Sequence, residues 1–144
     1  MTPFKNISAP ENEMLLKFPA YVSLLATDSD GKLDEAEKKS AIKFSHIKTY
    51  SCDPLLTEFY KEADIVFEKN IDEINKNLPV IKAQRKETIR KELINLEKIV
   101  LKLGDEYVSV MHRSMKSFKE HVSKAHRNVL VDFIFPLPIE GVTD

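Results

Sequence analysis

The chain of 144 residues contains one cysteine, three glycines and no uninterrupted apolar run long enough for a membrane span, and its 22 basic and 23 acidic residues nearly cancel to a net charge of -1. With Cys52 alone, no intramolecular disulfide can form, and a zinc or iron-sulfur site built from several thiolates of this chain is excluded. The densest apolar stretch, Val129 to Ile139, is broken by Asp132, Pro136 and Pro138. It falls short of the roughly 20 apolar residues that cross a bilayer, so the sequence predicts no transmembrane segment. Met1 to Pro10 lack the basic start and apolar run of a leader, and the expected location is cytoplasmic. A chain of this size buries roughly 68% of its unfolded surface without staples, which fits one domain.

Few glycines exclude a turn-rich β architecture and leave long segments that can continue as helix. The expected fold is all-α: a compact five-helix bundle over residues 12–135, an N-terminal arm over 1–11 and an extended tail over 136–144. The first helix is read over Asn12 to Ala26, with Leu15, Phe18, Val22 and Leu25 on a buried face and Pro19 awkwardly inside it. After a loop from Thr27 to Leu33, Asp34 and Glu37 have the spacing of a capping box for a second helix ending near Lys48. A third starts near Asp53, with Pro54 at its first position, and points Leu56, Phe59, Ala63, Val66, Ile71 and Ile74 inward until Pro79. In the fourth, Ile89, Leu93, Leu96, Val100 and Leu103 alternate gaps of four and three. Gly104 stops it, and a fifth presents Met111, Met115, Phe118, Val122, Ala125 and Val129 on one side.

Carboxylates gather around a glycine in Asp28-Ser29-Asp30-Gly31-Lys32-Leu33-Asp34 followed by Glu37. With Gly31 at the glycine position of an EF-hand loop, Asp28, Asp30 and Glu37 fall on ligand positions three, five and twelve, but Ala26 occupies the first. The apolar helix, Ala26, Asp30-Gly31, Leu33 and Glu37 resemble the first helix-loop-helix of the tellurite-resistance TerB-like family, over residues 14–47. That resemblance implies an all-helical fold and association of a divalent cation, calcium or magnesium, through Asp30, Asp34 and Glu37. With Asp28 from the loop alignment, these four residues are the candidate metal ligands; the competing reading is a solvent-facing turn and helix cap. No other cofactor is expected.

His46, His112, His121 and His126 include no pair four residues apart, and no Glu-x-x-His pattern of a di-iron bundle is present. No nucleophile elbow supports a serine triad. The expectation is therefore a protein without catalytic residues, and a metal-dependent enzyme of unknown substrate is the third alternative.

Charge is unevenly spread. Asp53 to Asn75 holds seven acidic and two basic residues, Lys82 to Lys102 seven basic and three acidic, and Arg113 to Arg127 five basic against Glu120. No base-reading motif accompanies the basic stretches, so nucleic acid is not the expected partner. The apolar residues Phe133, Phe135, Leu137 and Ile139 would be costly to expose and are the candidate contact for a protein partner or a second copy, with reversible membrane contact as a lesser reading. The predicted function is thus a helical protein-interaction or scaffold module, with a divalent-cation sensor or accessory domain as the alternative.

Overall fold

Ser8 opens the first helix by a reciprocal cap: its hydroxyl accepts from the Glu11 amide at 3.3 Å, and the Glu11 carboxylate accepts from the Ser8 amide at 2.9 Å. In this computed structural model, which describes residues 4–26 and 35–124 (the side chains of 122–124 excepted), α1 therefore spans Ala9–Leu15 and begins inside the expected arm. Pro10 sits in its first turn, where a missing amide proton costs nothing. The arm itself is tied down. Asn12 is buried and donates to the Phe4 carbonyl at 2.9 Å, while Phe4 is buried against Phe59 and Tyr107 at ring distances of 6.0 and 5.2 Å.

The single helix expected over Asn12 to Ala26 is two. The Lys17 amide turns back to the Met14 carbonyl at 3.0 Å, α1 ends, and α2 runs Phe18–Ala26. This break resolves the position of Pro19, which lies in the first turn of a new helix and interrupts no ladder. Eight of the nine α2 residues are buried, including Ser23, whose hydroxyl satisfies itself on the Pro19 carbonyl at 2.8 Å.

Helix α3 covers Glu35–Ser51, three residues past the expected end. Asp53 then accepts from the Leu55 amide at 3.0 Å and starts a single 3-10 turn, Pro54–Leu56, before α4 proper at Thr57–Asn77. On α4 the inward row is Phe59, Tyr60, Ala63, Phe67, Ile71 and Ile74. Val66, expected in that row, is only half-buried because the helical advance from Ala63 brings Phe67 to the core side.

Leu78 is extended ahead of Pro79, as the proline ring requires, and Arg85 holds the connection by reaching back to the Asn75 side chain at 2.8 Å. Helix α5, Lys82–Leu101, buries Ile89, Leu93, Leu96 and Val100, with Leu103 buried just beyond its end. All five members of the four-three pattern thus face the core. Gly104 has a φ of 100°, a backbone state that strains any side-chain-bearing residue, and its carbonyl accepts from Val108 at 3.0 Å to begin α6, Asp105–Lys124.

Packing places α2 at the centre, against α4, α5 and α6, while α3 closes over α4 and α6 and α1 lies on α5. The described residues contain no strand, and none of their helices is long and apolar enough to cross a membrane. Phe18, Phe59, Phe67, Met115 and Phe118 are essentially inaccessible, and each such side chain contributes roughly 1.5–3 kcal/mol of transfer free energy. Val122 has no described side chain, and Ala125 and Val129 lie outside the described residues.

Candidate functional site

Of the four candidate cation ligands, Glu37 alone lies within the described residues. It stands in the first turn of α3 and is 1% exposed. Asp28, Asp30 and Asp34 fall outside, as do the candidate contact residues Phe133, Phe135, Leu137 and Ile139. Among the described residues no group of three His, Cys, Asp or Glu side chains is placed to hold a metal ion.

The described histidines do three different things. His46 is exposed and pairs with Asp64 at 3.1 Å, its other nitrogen 3.3 Å from the Tyr50 hydroxyl. His121 stacks on Phe44 at 4.0 Å. His112 is fully buried and meets Glu97 at 2.7 Å, joining α5 to α6. A carboxylate offers only acceptors, so an ionised Glu97 takes the bond from the protonated Nε2 of His112. That pair joins two helices and is closed from solvent within the described residues.

A different group of residues forms an open site. The end of α3, the start of the 3-10 turn and the middle of α6 enclose a cleft of about 170 Å³ lined by Lys48, Ser51, Cys52, Asp53, Val110, Arg113 and Ser114. Lys48 is the unusual member. Only 9% of it is exposed, and its ammonium lies 5.4 Å from the Phe44 ring centre and 5.9 Å from that of Tyr60. No carboxylate of the described residues forms an ion pair with it. Aromatic faces offset part of the lost hydration, but burial still pushes the Lys48 pKa below its ordinary 10.5, with the nearby Cys52 acting weakly in the opposite sense.

Beneath the cleft, the Tyr60 hydroxyl lies 2.5 Å from Ser114 Oγ. Either hydroxyl can donate in this bond; donation by Tyr60 is the order that leaves its completely buried phenol proton satisfied among the described residues. That order leaves the Ser114 proton available to the cleft. Ser51 donates to the Ile47 carbonyl at 3.1 Å, and one Asp53 oxygen is occupied by the Leu55 amide. Arg113 is exposed at the rim.

The outer face of α3 leads to this cleft. Lys39, Lys43, His46, Ile47 and Tyr50 are exposed at spacings of three and four, and the sequence has no carboxylate between Lys39 and Cys52. Tyr50 is 78% exposed. Sequence reading singled out Cys52 as the lone thiol and Arg113 as part of a basic stretch, but it missed Lys48, Ser114 and the α3 face. The signal available was the acid-free run itself. Comparison of the chain with protein-family models, with curated proteins and with solved structures finds no match.

Proposed function

We propose that this protein is a non-enzymatic helical interaction module that engages a segment of a protein partner rich in carboxylates and carrying apolar side chains. The observation that supports it most is the α3 face, where cationic Lys39 and Lys43 precede the exposed Ile47 and Tyr50 on a helix with no acidic residue from Lys39 to Ser51, the Asp64 carboxylate of α4 meeting this face only at His46. An aromatic ring exposed beside lysines provides both contact area and electrostatic complementarity, the combination that interface anchors use. The reading carries with it the TerB-like resemblance of residues 14–47 and a second contact made by Phe133, Phe135, Leu137 and Ile139.

A photo-crosslinking phenylalanine analogue at position 50 of the full chain tests it in cells. The expected result is a discrete protein adduct, lost when Lys39→Glu and Lys43→Glu are combined, and absent from the same analogue at position 80, where Val80 is 91% exposed in the α4–α5 connection. Equal, indiscriminate labelling from positions 50 and 80 would remove the α3 face from consideration.

A further inference from the structure

We infer that the cleft between the end of α3 and the middle of α6 is a carboxylate-binding site, in which Lys48 supplies the buried charge, Ser114 a hydroxyl donor and Arg113 the cationic rim. The first argument is the state of Lys48. A buried cation is ordinarily paired, because leaving water is costly and an opposite charge is the usual compensation. Lys48 is nine-tenths buried, faces two aromatic rings and has no ion-pair partner among the described residues, yet it lines an open cavity. Among the described residues the only carboxylate lining the cleft is that of Asp53, which forms no ion pair with Lys48, and we read an acid entering the open cavity as the counter-charge.

The second argument is the direction of the donors. With Tyr60 donating to Ser114, the order that satisfies the buried phenol, the Ser114 proton is free for a cleft whose other donors are an ammonium and a guanidinium. Three donors around a cavity of about 170 Å³ suit a small acceptor-only group.

Charge arithmetic then selects the anion. Lys48 and Arg113 contribute two positive charges and Asp53 one negative, and the carbonyls closing α3 add a further partial negative charge. A net charge of about +0.5, counting roughly half a negative charge for the helix end, suits a monoanionic carboxylate better than a phosphate dianion. Val110 and Cys52 supply an apolar wall for the carbons next to it. The carboxylate comes either from a free short-chain acid or from a glutamate side chain of the acidic segment expected on the neighbouring α3 face. The second source rests on the proposed interaction function, whereas the first does not.

Propionate, inorganic phosphate and the capped peptide acetyl-Gly-Glu-Gly-amide are titrated into the isotopically labelled full chain at constant ionic strength. Amide shifts are followed together with the side-chain carbon next to the Lys48 ammonium. The expected result is saturable propionate binding confined to Ser51, Cys52, Arg113 and Ser114, with a rise in the Lys48 pKa on saturation. Binding should fall at least tenfold in Lys48→Met and severalfold in Ser114→Ala, and be unchanged in Lys91→Met, a substitution of an exposed lysine of α5. Peptide binding tighter than propionate identifies a protein carboxylate as the occupant; equal or weaker binding identifies a free acid. No saturable response, an undiminished response in a folded Lys48→Met variant, or tighter binding of phosphate than of propionate would each overturn the assignment. Because these probes need no partner protein, a negative crosslink at position 50 and a negative titration are separate failures.

Discussion

His112 Nε2 stands 2.7 Å from Glu97 Oε1 across the α5–α6 interface, and both side chains are shut away from water, while Glu97 Oε2 has no hydrogen-bond partner among the described residues. This is an ionisable pair whose two halves depend on each other. Replacing His112 by alanine abandons a carboxylate in the core and should cost about 3–5 kcal/mol. Glu97→Gln keeps the acceptor for His112 and should cost only about 1 kcal/mol. Urea denaturation of the two single variants and of the double Glu97→Leu/His112→Leu, which removes both polar groups together, checks the asymmetry; the double variant should be closer to the parent than His112→Ala.

Lys48→Met should stabilise the protein, by about 1 kcal/mol at neutral pH, because a cation with no described ion-pair partner is exchanged for an apolar chain of similar length. The sign follows from the lowered pKa. The folded state sheds the Lys48 proton at lower pH than the unfolded chain, so the charge is a burden at neutral pH that disappears as pH rises towards 10.5. The stability gap between Lys48→Met and the parent should thus narrow on going from pH 7 to pH 10. A gap that widens would contradict the burial of this charge.

Tyr60 predicts the opposite slope. Burial pushes its phenol well above the usual 10, the hydrogen bond with Ser114 opposing this in part. The folded protein keeps a proton that the unfolded chain releases, so the contribution is complete below pH 10 and is lost as pH rises beyond it. Tyr60→Phe should be less stable than the parent by about 1–1.5 kcal/mol at pH 8, through the lost bond to Ser114, and the difference should shrink by pH 11. Equilibrium unfolding at the two pH values measures it.

Asn12→Leu tests the N-terminal clamp. It removes the amide that accepts from and donates to the Phe4 backbone and leaves that buried carbonyl without its described partner, at a cost of about 1–3 kcal/mol. Limited proteolysis should then cleave before Ser8 well below the global unfolding temperature. Unchanged protection would show that Phe4 is held by its ring contacts with Phe59 and Tyr107 alone.

What the sequence made readable was whatever repeats locally. The row Ile89, Leu93, Leu96, Val100, Leu103 is one continuous helical stripe, and every member is buried. The break between α1 and α2 was harder to see because both halves are apolar and no glycine marks it; Pro19 was the available sign and fits a first turn. Val66 and Phe67 differ by one position on a helix that is amphipathic either way, and only the facing helices decide between them. Apart from the acid-free run of α3, the cleft had no local signature. Tyr60 and Ser114 are 54 positions apart, and Lys48 looks like any other lysine of a basic run until Phe44 and Tyr60 close over it.

The placement of α6 across α2, α3 and α5 also has a consequence for synthesis on the ribosome. Phe118 is the ring against which both Phe44 and Phe67 rest, at 5.0 and 5.8 Å, and Ser114 shares a hydrogen bond with Tyr60. Until that segment has left the exit tunnel, the preceding helices display their aromatic faces to the surrounding medium. Exposed apolar rings of this kind favour aggregation, so premature termination before α6 would release a sticky fragment rather than a smaller working protein.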